Sequence, residues 1–220
     1  MKFDAIIFDF DGVLLESEYA GNKQIAEYLT GAGHPTTPAE SMAHFMGLAG
    51  QDFIAAIERW TGRPMSTEFQ NARAAEDARV MREGIEEVAG AVAFVRSLPT
   101  GFPKAIASSS SSAWIVRHLE HLGISDIFGD MIFSGREHVT HGKPAPDIYL
   151  HAAAALGVEV IRSVILEDSP VGATAAVASR AHVIGFCGGS HCSADHADRL
   201  RAIGVDAIAS DFHDVRRLIF

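Results

Sequence analysis

The chain has 220 residues, of which 48% are hydrophobic and 21% charged; this suits a folded α/β core and excludes a disordered chain. Its formal net charge is −10, so a nucleic-acid partner is not expected. With only two cysteines, a disulfide scaffold is excluded. The sequence has no run of about 18 apolar residues, so we expect no membrane span. We expect a cytoplasmic monomer or weak homodimer.

The first predicted element is a short buried strand, Ala5–Phe8, which ends at acidic residues and Gly12. Residues 17–82 differ from the rest of the chain. Apolar residues recur there at helical spacing, and glycines and prolines divide the segment into roughly four helices. We predict that this segment is an all-helical domain inserted after the first strand.

After Gly84, strands and helices alternate. The predicted elements are, in order, helix Val88–Leu98, strand Lys104–Ala107, helix Ala113–Leu122, strand Met131–Phe133, helix Asp147–Leu156, strand Ser163–Leu166, helix Val171–Ser179, and strands His182–Phe186 and Asp206–Ile208, each followed by a helix. Such alternation is typical of right-handed βαβ units in a parallel sheet. We therefore predict an α/β fold with a Rossmann-like parallel-sheet core at 1–16 and 83–220 and a helical cap at 17–82.

Polar groups lie at the predicted strand ends or in the loops beside them. They are Asp9–Gly12, Ser108–Ser112, His141–Pro144 and Glu167–Pro170. In open parallel sheets, ligands bind beyond the carboxyl ends of the strands, so we expect these groups to converge. They combine a cation-binding acidic group with an anion-binding group of lysine and serine.

Asp9 and Asp11 form a pair that can divide the work of phosphoryl transfer. Two residues apart in extended chain, their side chains lean to the same side. One carboxylate can attack phosphorus while the other, protonated, donates to the leaving oxygen and then activates water. Because a phosphate dianion repels an attacking carboxylate, a cation is needed. Glu167 and Asp168 complete an oxygen site that suits Mg²⁺.

Lysine and serine supply the anion-binding half of the predicted site. Lys143 and the Ser108 hydroxyl can hold non-bridging phosphate oxygens, together with backbone N–H groups of the serine tract. We also assign Ser109 and Gly12 to the phosphate site. Each motif alone is common in solvated turns and helix caps. Four of them in order, each at the expected position, favour a functional site.

Four motifs carry a family resemblance: Asp9–Val13, Ser108, Lys143–Asp147 and Glu167–Ser169. Together they resemble the ordered motifs of the haloacid dehalogenase superfamily over nearly the whole chain. The segments around Lys143 and Glu167 are most similar to the branch that contains β-phosphoglucomutase and sugar-phosphate phosphatases. In that branch, a helical cap occupies the place of residues 17–82.

The resemblance implies a role for each matching residue. Asp9 would be the nucleophile and Asp11 the general acid and base. Mg²⁺ would be held by Asp9, Asp168 and the Asp11 carbonyl, with Glu167 assisting. The residues implied to bind the phosphoryl group are Ser108 and Lys143. The implied reaction is hydrolysis of a small organic phosphate through an aspartyl phosphate on Asp9.

Two departures separate the chain from the mutase of that branch. The histidine expected after Glu16–Glu18 is missing, and Tyr19–Gly21 follows instead. The cap arginine of the mutase has no counterpart in Gly47–Gln51. Both favour hydrolysis of a sugar, polyol or hydroxy-acid phosphate over a phosphosugar mutase, which is the alternative enzyme. Gln51 and Asp52 are candidate cap contacts to the substrate, or else the polar face of a helix N-terminus.

Two further interpretations stay open. A dehalogenase is disfavoured, because Asp11 and the Glu167–Asp168 carboxylates suit phosphoryl chemistry. A non-catalytic phosphate-binding protein is disfavoured, because such relics usually lose a catalytic carboxylate and this chain has all four. The remaining cluster of potential ligands fits none of the usual zinc spacings and stays unassigned: Cys187, His191, Cys192 and His196.

Overall fold

The computed structural model describes residues 2–46, 48 and 50–220. The chain forms two compact units, one of Met1–Glu16 with Glu86–Phe220 and the other of Ser17–Ile85. The predicted boundary at residue 82 falls inside a helix that runs to Glu83. Within the predicted cap stretch 47–51, residues 47 and 49 lie outside the described residues.

A parallel sheet forms the centre of the first unit. Its strands are β1 (Ala5–Phe8), β2 (Lys104–Ser108), β3 (Ile132–Ser134), β4 (Ser163–Glu167), β5 (His182–Phe186) and β6 (Ala207–Ala209). The spatial order is β3-β2-β1-β4-β5-β6, and each neighbouring pair is parallel. All four residues of β1 are fully buried, as expected of a strand covered on both faces. The predicted α/β class is confirmed.

Helices connect the strands and form the second unit. They are, in chain order, α1 (Ser17–Gly31), α2 (Pro38–Phe45), α3 (Gly50–Thr61), α4 (Thr67–Glu83), α5 (Ala91–Ser97), α6 (Ser112–Leu122), α7 (Ser125–Phe128), α8 (Asp147–Ala155), α9 (Pro170–Ala178), α10 (His196–Ile203) and α11 (Phe212–Ile219). The predicted helix at Val88–Leu98 begins later, because Gly90 precedes α5 in a left-handed conformation, with φ of 84°. The single turn α7 was not predicted, since one turn shows no periodicity.

The described residues of Ser17–Ile85 form the four helices α1–α4 and include no strand. Their apolar core contains Ile25, Leu29, Phe45, Ile57 and Phe69. These side chains come from all four helices, so the helical spacing in the sequence produces one shared core. None of the helices that the structure describes in the chain has both the length and the apolar character needed to cross a bilayer.

The topology determines where the polar strand ends meet. β1 lies between β2 and β4, with Phe8 level with Ile106 on one side and Leu166 on the other. The strand order reverses at β1, since β2 and β3 extend to one side and β4–β6 to the other. In such sheets the crevice for a ligand forms at the carboxyl edge beside the reversal.

Candidate active site

The residue after β1 and the end of β4 lie side by side at this edge. The Asp9 N–H donates to the Leu166 carbonyl over 2.9 Å, so the sheet ladder continues one residue beyond β1. Asp9 is 6% exposed, Glu167 is fully buried and Asp168 is 2% exposed. Each offers a carboxylate oxygen within 4.8 Å of the others. Adjacent strands thus hold three carboxylates in a small buried space.

Lys143 lies within this carboxylate cluster. Its Nζ donates to Asp9 Oδ1 over 2.6 Å and to Glu167 Oε2 over 2.7 Å. The lysine side chain is 4% exposed, so these ion pairs are desolvated, and removing one partner would leave a buried charge uncompensated. The sequence predicted that Lys143 binds phosphate. In this structure it links the carboxylates of β1 and β4.

Glu167 is fixed by four hydrogen bonds. Its Oε1 accepts from the N–H and hydroxyl of Ser169, over 3.0 and 2.7 Å. Its Oε2 accepts from Lys143 and from the Tyr149 hydroxyl. An ionised carboxylate has about four acceptor positions, so all are used. A Cβ at Gly172 would lie 2.1 Å from the Glu167 carboxyl carbon, and only glycine therefore fits there.

The local charges shift the ionisation of these groups. Burial and the charges of Glu167 and Asp168 raise the pKa of Asp9, although Lys143 opposes this. Burial acts against the charged form of Lys143, but Asp9 and Glu167 outweigh it and hold its pKa well above the ordinary value. Burial also opposes ionisation of Glu167, yet Lys143 keeps its pKa below the ordinary value. One ammonium does not balance the charge of three buried carboxylates, so a further cation would be stabilised among them.

The donor set fits a hard divalent cation. Asp9, Glu167 and Asp168 are all oxygen donors, which Mg²⁺ prefers. Because four hydrogen bonds already occupy Glu167, Asp9 and Asp168 are better placed to bind directly. The sequence assigned all three residues, with Asp11, to the metal.

Asp11 is held by the segment that follows β2. Its Oδ2 accepts from Ser110 Oγ over 2.6 Å and from Ser108 Oγ over 3.3 Å, and its Oδ1 accepts from Trp114 Nε1 over 3.0 Å. Ser108 was predicted to bind phosphate, and here it contacts Asp11. Ser109, assigned to the same role, is exposed.

Two side chains of the site, Trp114 and Tyr149, were missed by the sequence analysis. Ser110 was named only within the serine tract, and His191 only among the unassigned potential ligands. In the structure Ser110 donates to Asp11, and His191 Nε2 lies 2.8 Å from Asp168 Oδ2. Trp114 and Tyr149 lie in the first turns of the helices after two of the motifs, which was the available signal. The second histidine, His196, also reaches Asp168, through the backbone carbonyl at 2.6 Å.

The backbone at Gly12, shortly after Asp9, passes close to the Asp168 side chain. Gly12 has φ of +80°, and a Cβ there would lie 2.2 Å from Asp168 Oδ2. Glycine is therefore required on both counts. In the helical unit, the candidate cap residues Gln51 and Asp52 are exposed in the first turn of α3.

Comparisons with known proteins cover most of the chain. The sequence pattern of haloacid dehalogenase-like hydrolases matches residues 3–180. The chain is 26% identical to the 6-phosphogluconate phosphatase of Escherichia coli K12, over 86% of this chain and 85% of that protein. It is 30% identical to hexitol phosphatase A of the same strain, over 84% and 83%. A solved hydrolase of the family from Deinococcus radiodurans R1, with bound phosphate and sodium, is 28% identical with a TM-score of 0.88, and the match covers 99% of this chain and 95% of that one.

Lys143 should be important for stability as well as for chemistry. Lys143→Met leaves the buried Asp9 and Glu167 carboxylates without their cation, so in metal-free buffer we expect the free energy of unfolding to fall by about 3–5 kcal/mol. The measurement is chemical denaturation followed by circular dichroism. Lys104→Met is the matched control, because burial already lowers the pKa of Lys104 and methionine should be tolerated there. A loss no larger than that of the control would contradict the assigned ion pairs.

Proposed function

The chain belongs to the haloacid dehalogenase-like hydrolases, and we propose that it is a Mg²⁺-dependent phosphatase of small organic phosphate monoesters. The observation that carries this proposal is the buried cluster of Asp9, Lys143, Glu167 and Asp168 at the end of the central strand. Family membership agrees with the resemblance found in the motifs, and the phosphatases among its relatives support monoester hydrolysis.

The proposed substrate is a phosphorylated sugar, polyol or hydroxy acid. Two relatives named above carry names of this kind, a phosphatase of 6-phosphogluconate and one of hexitol phosphates. Both match more than four-fifths of this chain, and the family pattern over residues 3–180 spans all four motifs. Specificity depends on individual side chains around the substrate, so we propose a class of substrates and not a single compound.

Asp9 supplies the nucleophile in the proposed reaction. One of its carboxylate oxygens attacks phosphorus, and the bond from phosphorus to the leaving oxygen breaks, which leaves an aspartyl phosphate. Asp11, two residues further on, donates a proton to the leaving alkoxide. It then removes a proton from water, the resulting hydroxide attacks phosphorus, and the bond to Asp9 breaks. Inorganic phosphate is released and both carboxylates return to their starting state.

The other residues of the cluster set the charge and position of Asp9. Lys143 fixes Asp9 Oδ1 by a 2.6 Å hydrogen bond and adds positive charge beside the incoming phosphoryl group. Glu167 holds Lys143 in place from the other side. Mg²⁺ would be held by Asp9, Asp168 and the Asp11 carbonyl, where it would offset the repulsion between carboxylate and phosphate.

Two departures from the mutase sequence favour hydrolysis over transfer of the phosphoryl group between two sites on a sugar. Gly21, in α1, follows the segment where the mutase has its histidine, and 47–51 contains no arginine. Water is then the acceptor that remains for the phosphoryl group. Isomerisation of a sugar phosphate without release of inorganic phosphate would instead indicate a phosphosugar mutase.

Phosphate release tests the proposal directly. The purified protein should release phosphate from members of a panel of sugar, polyol and hydroxy-acid phosphates with Mg²⁺, and should lose activity in excess chelator. Asp9→Asn should lower kcat/KM by about 10³-fold or more, since a nucleophile is removed. Asp126→Asn, in the first turn of α7, is the matched control and should keep wild-type activity. Activity of Asp9→Asn within tenfold of wild type, or full activity in chelator, would contradict the proposal.

We further propose that residues 17–82 act as a cap that selects the substrate. The motive is the family resemblance together with the exposed polar residues Gln51 and Asp52 at the start of α3. Asp52→Ala should then change the ratio of kcat/KM among three dissimilar phosphates by about tenfold, which corresponds to roughly one hydrogen bond to a charged group. Asp77→Ala, in α4, is the control from the same unit. An equal loss for all three substrates would show that Asp52 does not select among them.

A further inference from the structure

The loop between β5 and α10, residues 187–195, reaches back to the site. Its His191 is 4% exposed, and Nε2 donates to Asp168 Oδ2 over 2.8 Å. Where the loop joins α10, His196 is 2% exposed, and its Nε2 donates to the Asp168 backbone carbonyl over 2.6 Å. Asp168 is thus held twice, at its carboxylate and at its main chain, by two buried rings from one segment.

Glycines make room for the His191 ring. A Cβ at Gly189 would lie 2.6 Å from His191 Cε1, and one at Gly12 would lie 2.9 Å from the same atom. A Cβ at Gly189 would also lie 3.0 Å from the Gly12 carbonyl. Two chain segments that are distant in sequence therefore both leave out a side chain where this ring inserts. An incidental surface histidine would need no such space.

Further hydrogen bonds hold the loop in this position. The Ser190 N–H and hydroxyl both donate to Glu16 Oε1, each over 3.0 Å, which ties the loop to the end of the β1 segment. Arg199 donates to His196 Nδ1 over 2.9 Å. Because that nitrogen accepts, the His196 proton lies on Nε2, directed at the Asp168 carbonyl. The contacts of His191 and His196 with Asp168 are thus supported by hydrogen bonds from Glu16 and Arg199.

We propose that His191 and His196 are positioning residues that hold Asp168 in the geometry that binds the cation. This inference rests on the proposed function, in which Asp168 is a ligand of Mg²⁺. Partners that hydrogen-bond to a metal ligand hold its orientation, and their loss typically lowers metal affinity about 10–100-fold. Neither histidine belongs to the four motifs, and neither touches the reacting atoms in the proposed mechanism.

The same cluster could instead be read as a transition-metal site, because His191, Cys192 and His196 offer ligand atoms within 4.8 Å of one another. Two observations disfavour this. Both ring nitrogens of His196 are engaged, with Asp168 and Arg199. Nε2 of His191 is likewise engaged, with the Asp168 carboxylate.

The test is Mg²⁺ binding to the metal-free protein by isothermal titration calorimetry. His191→Phe keeps a ring without the donor, and His191→Asn keeps an amide that is too short to reach Asp168. Each should raise the Kd for Mg²⁺ about tenfold or more. His191→Gln, whose amide nitrogen reaches the position of Nε2, should restore the Kd to within about threefold of wild type. His182→Phe, at the other end of β5, is the matched control and should bind like wild type.

Activity separates positioning from other roles. In the Phe and Asn variants, kcat at saturating Mg²⁺ should stay within about threefold of wild type, while the Mg²⁺ concentration for half-maximal rate rises in step with the Kd. An unchanged Kd in both folded variants, or a loss of kcat with an unchanged Kd, would overturn the inference. So would stoichiometric Co²⁺ binding with a thiolate charge-transfer band that Cys192→Ser abolishes. Failure of the proposed function would appear separately, as wild-type protein without Mg²⁺-stimulated phosphate release.

Discussion

The ion pair of Lys143 with Asp9 and Glu167 is the interaction on which the rest of the site depends. Three charged groups are buried together. The desolvation cost of each is offset only because an opposite charge lies within hydrogen-bonding distance. Asp9 comes from the end of β1 and Glu167 from β4, so the arrangement requires that these strands be neighbours. Gly172 and Tyr149 then complete the surroundings of Glu167, one by leaving space and the other by donating a hydrogen bond.

This constraint connects the fold to the chemistry. The apolar, fully buried β1 fixes the backbone at Asp9, so its carboxylate has a defined position before any substrate arrives. Preorganised charge of this kind stabilises a transition state without reorganisation during the reaction. Burial and the neighbouring carboxylates raise the pKa of Asp9, and a bound cation would favour the ionised form that the proposed nucleophile needs.

Much of this could be predicted from the sequence, because polar residues directly after buried strands must meet at one edge of a parallel sheet. Asp9 and Glu167 were identified in that way, and Lys143 from the motif in the loop after β3; the structure brings the three together. Short elements were harder to predict, because the single turn of α7 is too short to show a helical periodicity of apolar residues. The start of α5 depends on the left-handed Gly90 rather than on the apolar pattern.

The residues that the sequence missed or left without a role have one physical reason in common. Tyr149 and Trp114 have the spacing of core-facing aromatic residues, and only the fold shows that their polar atoms reach Glu167 and Asp11. His191 lies in a loop whose path depends on space left by Gly12, far away in sequence. Spacing along the chain carries no information about such contacts, since they are set by where separate segments meet.

In the proposed mechanism Asp9 carries the phosphoryl group during turnover, and trapping that intermediate tests the assignment most directly. Enzyme turning over a phosphate ester with Mg²⁺ is quenched with borohydride, which reduces an aspartyl phosphate to homoserine, and the peptides are examined by mass spectrometry. We expect conversion at position 9 alone, dependent on substrate and absent without Mg²⁺. Steady phosphate release with an unmodified Asp9 peptide, or conversion at another carboxylate, would contradict it.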